Sequence, residues 1–357
     1  SNQISWRGRS DTETLIAGIE KWGLRETLRK SVGMYAFALW DREEQVLYLV
    51  RDRIGEKPLY YGYQRGVLLF GSELKALKVH PAFEGEVDRN AITLQLRHSY
   101  IPTPYSIYKG IKKLPPGTFI KLLVSNGRLS GSEPEPVSYW SLGDAISNGI
   151  DSPFDGSDTD AVDALDGLLS ASIRQQMVAD VPLGAFLSGG VDSSTIVALM
   201  QSQSSRPAKT FTIGCKEDDY NEAVHAKAVA AHLGTEHTEL YVSPQQALDV
   251  IPRLPMLYDE PFSDSSQIPT FLISQMTRQH VTVSLSGDGG DEVFGGYNRY
   301  LMTNGLWDKI RRVPLPFRYL VANVLRTLTP DQWNQSSKWI PGAGKYADFG
   351  GKVHKGA

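Results

Sequence analysis

The chain has 357 residues, 41% hydrophobic and 22% charged, with a formal net charge of -3. That is the composition of a soluble globular protein long enough for two cores, and it gives no electrostatic case for nucleic acid or a membrane surface. A single cysteine, Cys215, excludes an intrachain disulfide framework and a cysteine-rich zinc site, and no apolar run reaches the ~20 residues of a membrane span. A reducing cytoplasm is the expected compartment. In chain order, Ser10-Asp11-Thr12-Glu13 fits a capping box ahead of Leu15, Ile16, Ile19 and Trp22 at helical spacing. Short β-type runs follow at Met34–Trp40, Val46–Val50, Pro58–Tyr63 and Val67–Phe70, separated by turn pieces such as Asp41–Gln45 and Gln64–Gly66. They predict an antiparallel meander. Two more β segments are expected beside Leu114–Gly117 and Ser125–Gly127. From Gly143 to Asp160 the composition shifts to Gly, Ser, Asp and Pro, which reads as a linker.

Beyond the linker the rhythm changes. A helix near Ala161–Met177 precedes strand Ala185–Leu187, helix Thr195–Gln203, strand Lys209–Gly214, helix Asn221–Leu233 and strand Thr238–Val242. Helices Pro244–Tyr258 and Ile268–Arg278 and strand Val281–Leu285 complete the series. Alternating strand and helix predicts a parallel, doubly wound sheet. The tail from Trp307 reads as helical and then loops out through Pro341–Gly344. Domain limits of 1–145, a linker at 146–160, and 161–357 follow from these shifts. There is no internal repeat.

The segment Ala185–Ser194, AFLSGGVDSS, carries the most chemistry. A strand runs into two glycines and a helix start, so backbone can approach a ligand and unpaired N–H groups face an anion such as pyrophosphate. No Gly-Lys-Ser/Thr follows, so it is not a Walker A loop. Asp192 in an anion-binding turn would repel phosphate unless a divalent cation lay between them, which argues for magnesium. Ordinary turn chemistry is the competing reading. A second turn, within VTVSLSGDGGDEVFGG at Val281–Gly296, also follows a strand, and Asp192 and Asp291 at two strand ends could share that metal.

SGGVDSS resembles the pyrophosphate loop of ATP pyrophosphatases, and paired with SLSGDGGDEVFGGY it closely resembles the synthetase domain of glutamine-dependent asparagine synthetases. Residues 9–75, with RSDTET, GMYAFALWD, RDRIGEKPLYYG and FGSELKAL, look like the later part of a class II glutamine amidotransferase domain. The resemblance implies a partial α+β N-terminal-nucleophile glutaminase sandwich, then an α/β doubly wound parallel-sheet ATP pyrophosphatase domain that is incomplete C-terminally. It implies ATP and Mg2+ as cofactors, with aspartate and glutamine or ammonia as substrates. No nucleic acid or membrane partner is implied, and a homodimer is admitted as a possible assembly.

Residue by residue, the resemblance assigns ATP and pyrophosphate to Leu187, Ser188, Gly189, Gly190, Val191, Asp192, Ser193, Ile213, Gly214, Ser286 and Gly287. Metal falls to Asp192 and Asp291. Asp288, where many relatives carry glutamate, would accept a proton from incoming ammonia. Asp11 would hold the α-amino group of glutamine, beside its ordinary role at a helix start. Tyr258–Pro261 and Asp264–Ser266 look like the family's loop facing the amino-acid substrate, with helix capping an equal alternative for the latter. The charged run Arg51, Asp52, Arg53, Glu56 and Lys57 reads as solvated surface or a structural ion pair.

The chain departs from the family pattern at both ends. The glutaminase needs an N-terminal cysteine and an Asn-Gly segment for the oxyanion, and neither is here. The chain opens with Ser1-Asn2, the pattern of a tag-cleavage scar. Cys215 has no His–Asp partners in sequence, and a pyrophosphate-contacting lysine of the family lies further C-terminal. A chain truncated at both ends, not expected to hydrolyse glutamine, is the reading. The implied reaction joins aspartate and ATP into β-aspartyl-AMP and pyrophosphate, and ammonia then gives asparagine and AMP. An amidotransferase acting on another carboxylate, such as a sugar acid or β-lactam precursor, and a non-catalytic nucleotide-binding relative are the alternatives.

Overall fold

The computed structural model describes residues 6–125, 128–130, 134–215, 222–337 and 349–356. Ser1-Asn2, the Asn126-Gly127 turn and the expected loop at Pro341–Gly344 lie outside them.

Helix α1 (Asp11–Trp22) starts where the polar box ends, and α2 (Leu24–Lys30) follows Gly23. The box itself is not reciprocal. Ser10 Oγ accepts from Thr12 N at 3.1 Å, but Glu13 reaches past Ser10 to the amides of Arg7 and Gly8, at 2.7 and 2.8 Å. Strands β1 (Ala36–Asp41) and β2 (Val46–Arg51) pair antiparallel, as do β3 (Tyr60–Gln64) and β4 (Val67–Gly71). Helices α3 (Leu74–Lys78) and α4 (Arg89–His98) come next, then β5 (Ile111–Lys113), β6 (Thr118–Ser125), β7 (Arg128–Ser130) and β8 (Val137–Ser138).

The expected single meander is split. β1-β2-β6-β7, with β8 beside β6, form one sheet, and β4-β3-β5 form another. The turn between β2 and β3 explains the break. Buried Asp52 accepts from the amides of Tyr35, Gly55, Glu56 and Lys57, at 3.2, 2.6, 2.9 and 2.9 Å. Arg51 donates to the carbonyls of Lys57, Leu114 and Gly55. This network holds the chain in a fold-back, with Gly55 at φ +76°, instead of a hairpin. Arg51 and Asp52 of the charged run are therefore structural and buried, bound to backbone, while Glu56 and Lys57 are exposed.

Neighbouring residues on one strand face opposite layers, as the pleat requires. Val50 packs with Phe119, Tyr139 and Leu28 of α2, while Leu49 packs with Ile120, Leu122 and Tyr61 between the two sheets. Tyr60 turns the other way, onto Leu74 and Leu77 of α3 and Ala91 of α4. The unit is a four-layer helix–sheet–sheet–helix stack.

The stretch read as linker is partly helical. Ser141 caps α5 (Leu142–Asp151), and α6 (Asp158–Gln176) opens on a true capping box between Ser157 and Asp160. Leu142, Ile146 and Ile150 recur every fourth residue along α5, a helical stripe that the Gly/Ser/Asp composition masked. All three are exposed.

The second unit contains β9 (Leu183–Phe186), α7 (Val191–Ser202), β10 (Lys209–Cys215), α8 (Ala223–Leu233) and β11 (Glu236–Val242). After α9 (Pro244–Val250), a 3-10 turn at Ile251–Arg253 and α10 (Leu254–Leu257) replace the single helix expected to Tyr258, because Pro252 and Pro255 interrupt it. Helix α11 (Gln267–Thr277), β12 (Val283–Leu285) and α12 (Gly290–Phe294) complete the core of the unit. The four strands are all parallel, in the order β11-β10-β9-β12. Helices cover both faces. Ala185 and Leu187 pack with Val197, Met200 and Ala226, while Phe186 between them packs with Phe211 and Ile273. The tail is helical from Asn298, earlier than expected: α13 (Asn298–Ile310), α14 (Leu315–Arg326), α15 (Pro330–Ser336) and α16 (Phe349–Gly356). Among the described residues no helix is long and apolar enough to cross a membrane.

Candidate nucleotide-binding site

β9 is the strand at which the sheet order reverses: β10 continues on one side of it and β12 on the other. Ligands in open α/β sheets bind at such a switch point, outside the carboxyl ends of the strands. The chain leaves β9 through Leu187, whose amide still donates to Phe211 O at 2.9 Å, and enters α7 at Val191, four residues before the helix start expected from sequence. Asp192 and Ser193 therefore sit in the first helical turn.

The loop is organised from within. Ser188 and Ser193 share a hydroxyl–hydroxyl bond of 2.9 Å, Ser188 N donates to Ser193 Oγ at 3.2 Å, and Gly190 N donates to Ser188 Oγ at 3.3 Å. Gly189 has φ +81°, and a Cβ there would stand 2.7 Å from the amide nitrogen of Ala226 in α8. Only glycine combines that backbone with that approach. Gly190 is the N-cap of α7 and supplies no side-chain cap bond, so the helix begins with amides that no side chain claims.

The second turn is built against the first. From β12 the chain passes Ser286–Gly289, with Gly289 at φ +91°, into α12. A Cβ on Gly287 would lie 2.7 Å from Ser193 N, and one on Gly290 would lie 2.5 Å from Asp192 Oδ2. Ser286 Oγ donates to Asp288 Oδ2 at 3.1 Å and so orients that carboxylate.

Both turns open on a cleft of about 700 Å3. Of the residues predicted for nucleotide, metal and proton transfer, it gathers Leu187, Ser188, Gly190, Val191, Asp192, Ser193, Ile213, Ser286, Gly287, Asp288 and Asp291. Two are placed elsewhere. Gly189 faces α8 instead of the cleft, so its part is close packing. Gly214 lines a neighbouring apolar cavity of about 380 Å3, with Ile213, Val242 and Pro244. Asp11 sits on the exposed start of α1 in the first unit, where its carboxylate accepts from Thr12 N at 2.7 Å.

Sequence reasoning missed Thr212, Glu222, Ile273 and Phe294 as cleft-lining residues. Ile273 was foreseeable only as core on an apolar helix. The segment Tyr258–Ser266 divides in two. Asp264 accepts from Ser266 N at 2.8 Å ahead of α11, a turn-forming role, and that bond holds its carboxyl below the usual range. Asp259 and Glu260 point away from the cleft and bind the first unit.

A triphosphate fits this arrangement: glycines keep the approach clear and the α7 amides present donors. For magnesium, Asp192 and Asp291 line one cleft and offer hard oxygen donors, though among the described residues no group of three potential ligands is gathered. Magnesium suits such a partial set, since it keeps waters and substrate phosphates in its shell.

Comparison with known proteins gives two matches along the chain. Residues 164–346 match the asparagine synthase family and residues 1–138 match a glutamine amidotransferase domain. The chain is 37% identical over 309 residues to a provisionally named glutamine-hydrolysing asparagine synthetase 2 of Methanocaldococcus jannaschii, covering 85% of this chain and 57% of that protein. It is 34% identical over 316 residues to asparagine synthetase 1 of Bacillus subtilis, covering 88% and 47%, and 30% identical over 311 residues to asparagine synthetase B of Escherichia coli, covering 81% and 47%. The chain thus spans about half the length of the curated relatives it matches. With a glutamine amidotransferase domain ahead of a synthase domain, it belongs to the asparagine synthase family.

Proposed function

We propose that the cleft between the two glycine-rich turns adenylates aspartate, forming β-aspartyl-AMP and pyrophosphate, and that ammonia then displaces AMP to give asparagine. The observation that carries this reading is the convergence of Asp192, Asp288 and Asp291 with the uncapped start of α7 on one cleft at the switch point. In it, the amides of Val191–Ser193 hold the departing pyrophosphate. The Ser188 and Ser193 hydroxyls, engaged with each other, Gly190 N and Gly190 O, shape the loop that presents them. Magnesium, held by Asp192 and Asp291, would supply charge neutralisation on the phosphates. Asp288, oriented by Ser286, accepts a proton from ammonia. Leu187 and Ile213 give the base apolar contact.

The nitrogen source in this reading is glutamine, held in part by Asp11 in a domain spanning 1–145, joined through 146–160 to a synthetase domain at 161–357. The acceptor carboxylate is the element that a sugar acid or β-lactam precursor would replace. Pyrophosphate release with ATP, ammonia and each carboxylate in turn tests this. Release dependent on aspartate is expected, and Asp192→Asn should lower it by roughly 100-fold, several kcal/mol of barrier, without changing the fold. Release only with another carboxylate, or none with any, would sink the assignment.

A further inference from the structure

Residues 259–263 belong to the second unit by chain order, yet their polar groups are engaged with the first. Asp259 accepts from the amides of Leu74 and Lys75, at 2.7 and 3.2 Å. Glu260 accepts from Ile107 N at 2.8 Å and from the Tyr60 hydroxyl at 3.4 Å, and pairs with Lys113 at 2.5 Å. Ser263 N donates to Ser99 O at 2.6 Å, and Ser263 Oγ accepts from Gln95 Nε2 at 3.1 Å. This is not a solvated surface contact: the side chains of Glu260 and Lys113 are only 10% and 15% exposed. Burial and the nearby Glu260 charge push the Tyr60 hydroxyl pKa upward, so it stays a donor.

The same segment runs directly into α11. Tyr258 and Phe262 close on each other edge-to-face at 4.7 Å, Asp264 forms the turn, and Gln267 Nε2 donates to Asp264 O at 2.8 Å. Along α11, Ile268, Pro269 and Leu272 line the apolar cavity and Ile273 lines the nucleotide cleft. The first unit therefore holds the leading end of a helix that forms one wall of the second unit's site.

We infer that Glu260 is a positioning residue: paired with Lys113 and supported by Asp259, it pins segment 259–263 to the first unit and thereby sets α11 against the cleft, where Ile273 lies beside Ile213. The effect on ATP binding rests on the proposed ligase reading, while the effect on α11 does not. The physical case is that a buried ion pair gives little net stability but fixes geometry, and that removing one partner strands the other charge. Replacing both charges by neutral hydrogen-bonding groups should cost far less than replacing one.

The test uses the full chain and two readouts: hydrogen exchange of the α11 amides, 267–277, and steady-state pyrophosphate release. Glu260→Gln keeps an acceptor for Ile107 N but leaves Lys113 with its bond to Ile101 O and no counter-charge. It is expected to speed α11 exchange at least tenfold and raise KM for ATP at least tenfold, with kcat within twofold. The double variant Lys113→Gln/Glu260→Gln should recover most of both effects. Unchanged α11 exchange in Glu260→Gln, or a double variant no better than the single, would overturn the inference. Should Glu260→Gln fail to fold, Asp259→Asn must reproduce the faster exchange, and its absence overturns the inference equally. If the unsubstituted chain releases no pyrophosphate with aspartate, the ligase reading fails while the exchange result still decides the positioning role.

Discussion

The two units each contain a polar turn following a strand, and the turns are opposites. In the first, Asp52 collects four backbone amides and Arg51 three carbonyls, so the polar valences close on one another. In the second, the serine hydroxyls of residues 188 and 193 bind each other and the helix behind them starts uncapped. Charge density alone would have nominated the first turn as the site. The difference teaches that engaged groups make a scaffold, whereas donors held in place but unclaimed make a binding surface.

The contrast can be broken at its strongest point. Asp52→Ala takes the carboxylate from four amides of a part-buried turn, of which only Gly55 N keeps the Asp52 carbonyl, and should destabilise the first unit by about 3 kcal/mol, read by urea unfolding. A loss below about 1 kcal/mol would show that the turn is not held by that carboxylate. In the second turn, Gly287→Ala should spare stability more than binding. Its Cβ meets backbone at Ser193, and a shift costing about 1–3 kcal/mol translates into roughly 10-fold or greater loss of ATP affinity by calorimetry. Unchanged affinity would mean that the two turns do not share a ligand.

The smallest effect tests whether closure extends to the sheet of the second unit. His237 Nδ1 lies 2.9 Å from Thr210 Oγ1, and Nε2 is buried without a partner among the described residues. Burial lowers its pKa. The unfolded chain then binds the extra proton first, so stability rises with pH in this window. It should fall as pH drops below the unfolded value of about 6.5 and level off once pH passes below the folded pKa. Melting temperature followed from pH 7.5 to 5.5 should show this slope, and His237→Asn should flatten it. Equal slopes in both proteins would remove His237 as the cause.

Much of the second unit was legible because its signals are local: an apolar strand, a glycine pair, then a helix. The helix start was placed late, since Val191 and Asp192 carry no periodic apolar signal, although Gly190 stands at the N-cap position before them. The first unit was legible from its residues as strands, while its two-sheet sandwich was implied by the family resemblance and not by the strand pattern. Strand pairing depends on where β2 sends the chain, and the Asp52 network that decides it involves Tyr35 and Leu114, remote in sequence. Asp259 and Glu260 were read toward a substrate for the same reason. Their partners lie more than a hundred residues upstream, and two adjacent acids bounded by Pro261 carry no record of which surface they meet. Gly214 lines the cavity that adjoins the cleft through Ile213, and strand register fixes depth, not which side of Ile213 a cavity takes.

The approach of Gly290 to Asp192 has a consequence for how the protein responds to its surroundings. The two ligand-facing turns are held in register by contact between atoms, with no room for a methyl group between them. Such a contact is indifferent to ionic strength, whereas exposed ion pairs weaken as salt screens them within about 10 Å at 0.1 M. The spacing across the cleft should therefore stay constant over swings in salt that loosen the surface. Positions 192 and 290 are also coupled: a larger residue at 290 requires the Asp192 side chain to turn away, which takes its carboxylate from its present place in the cleft.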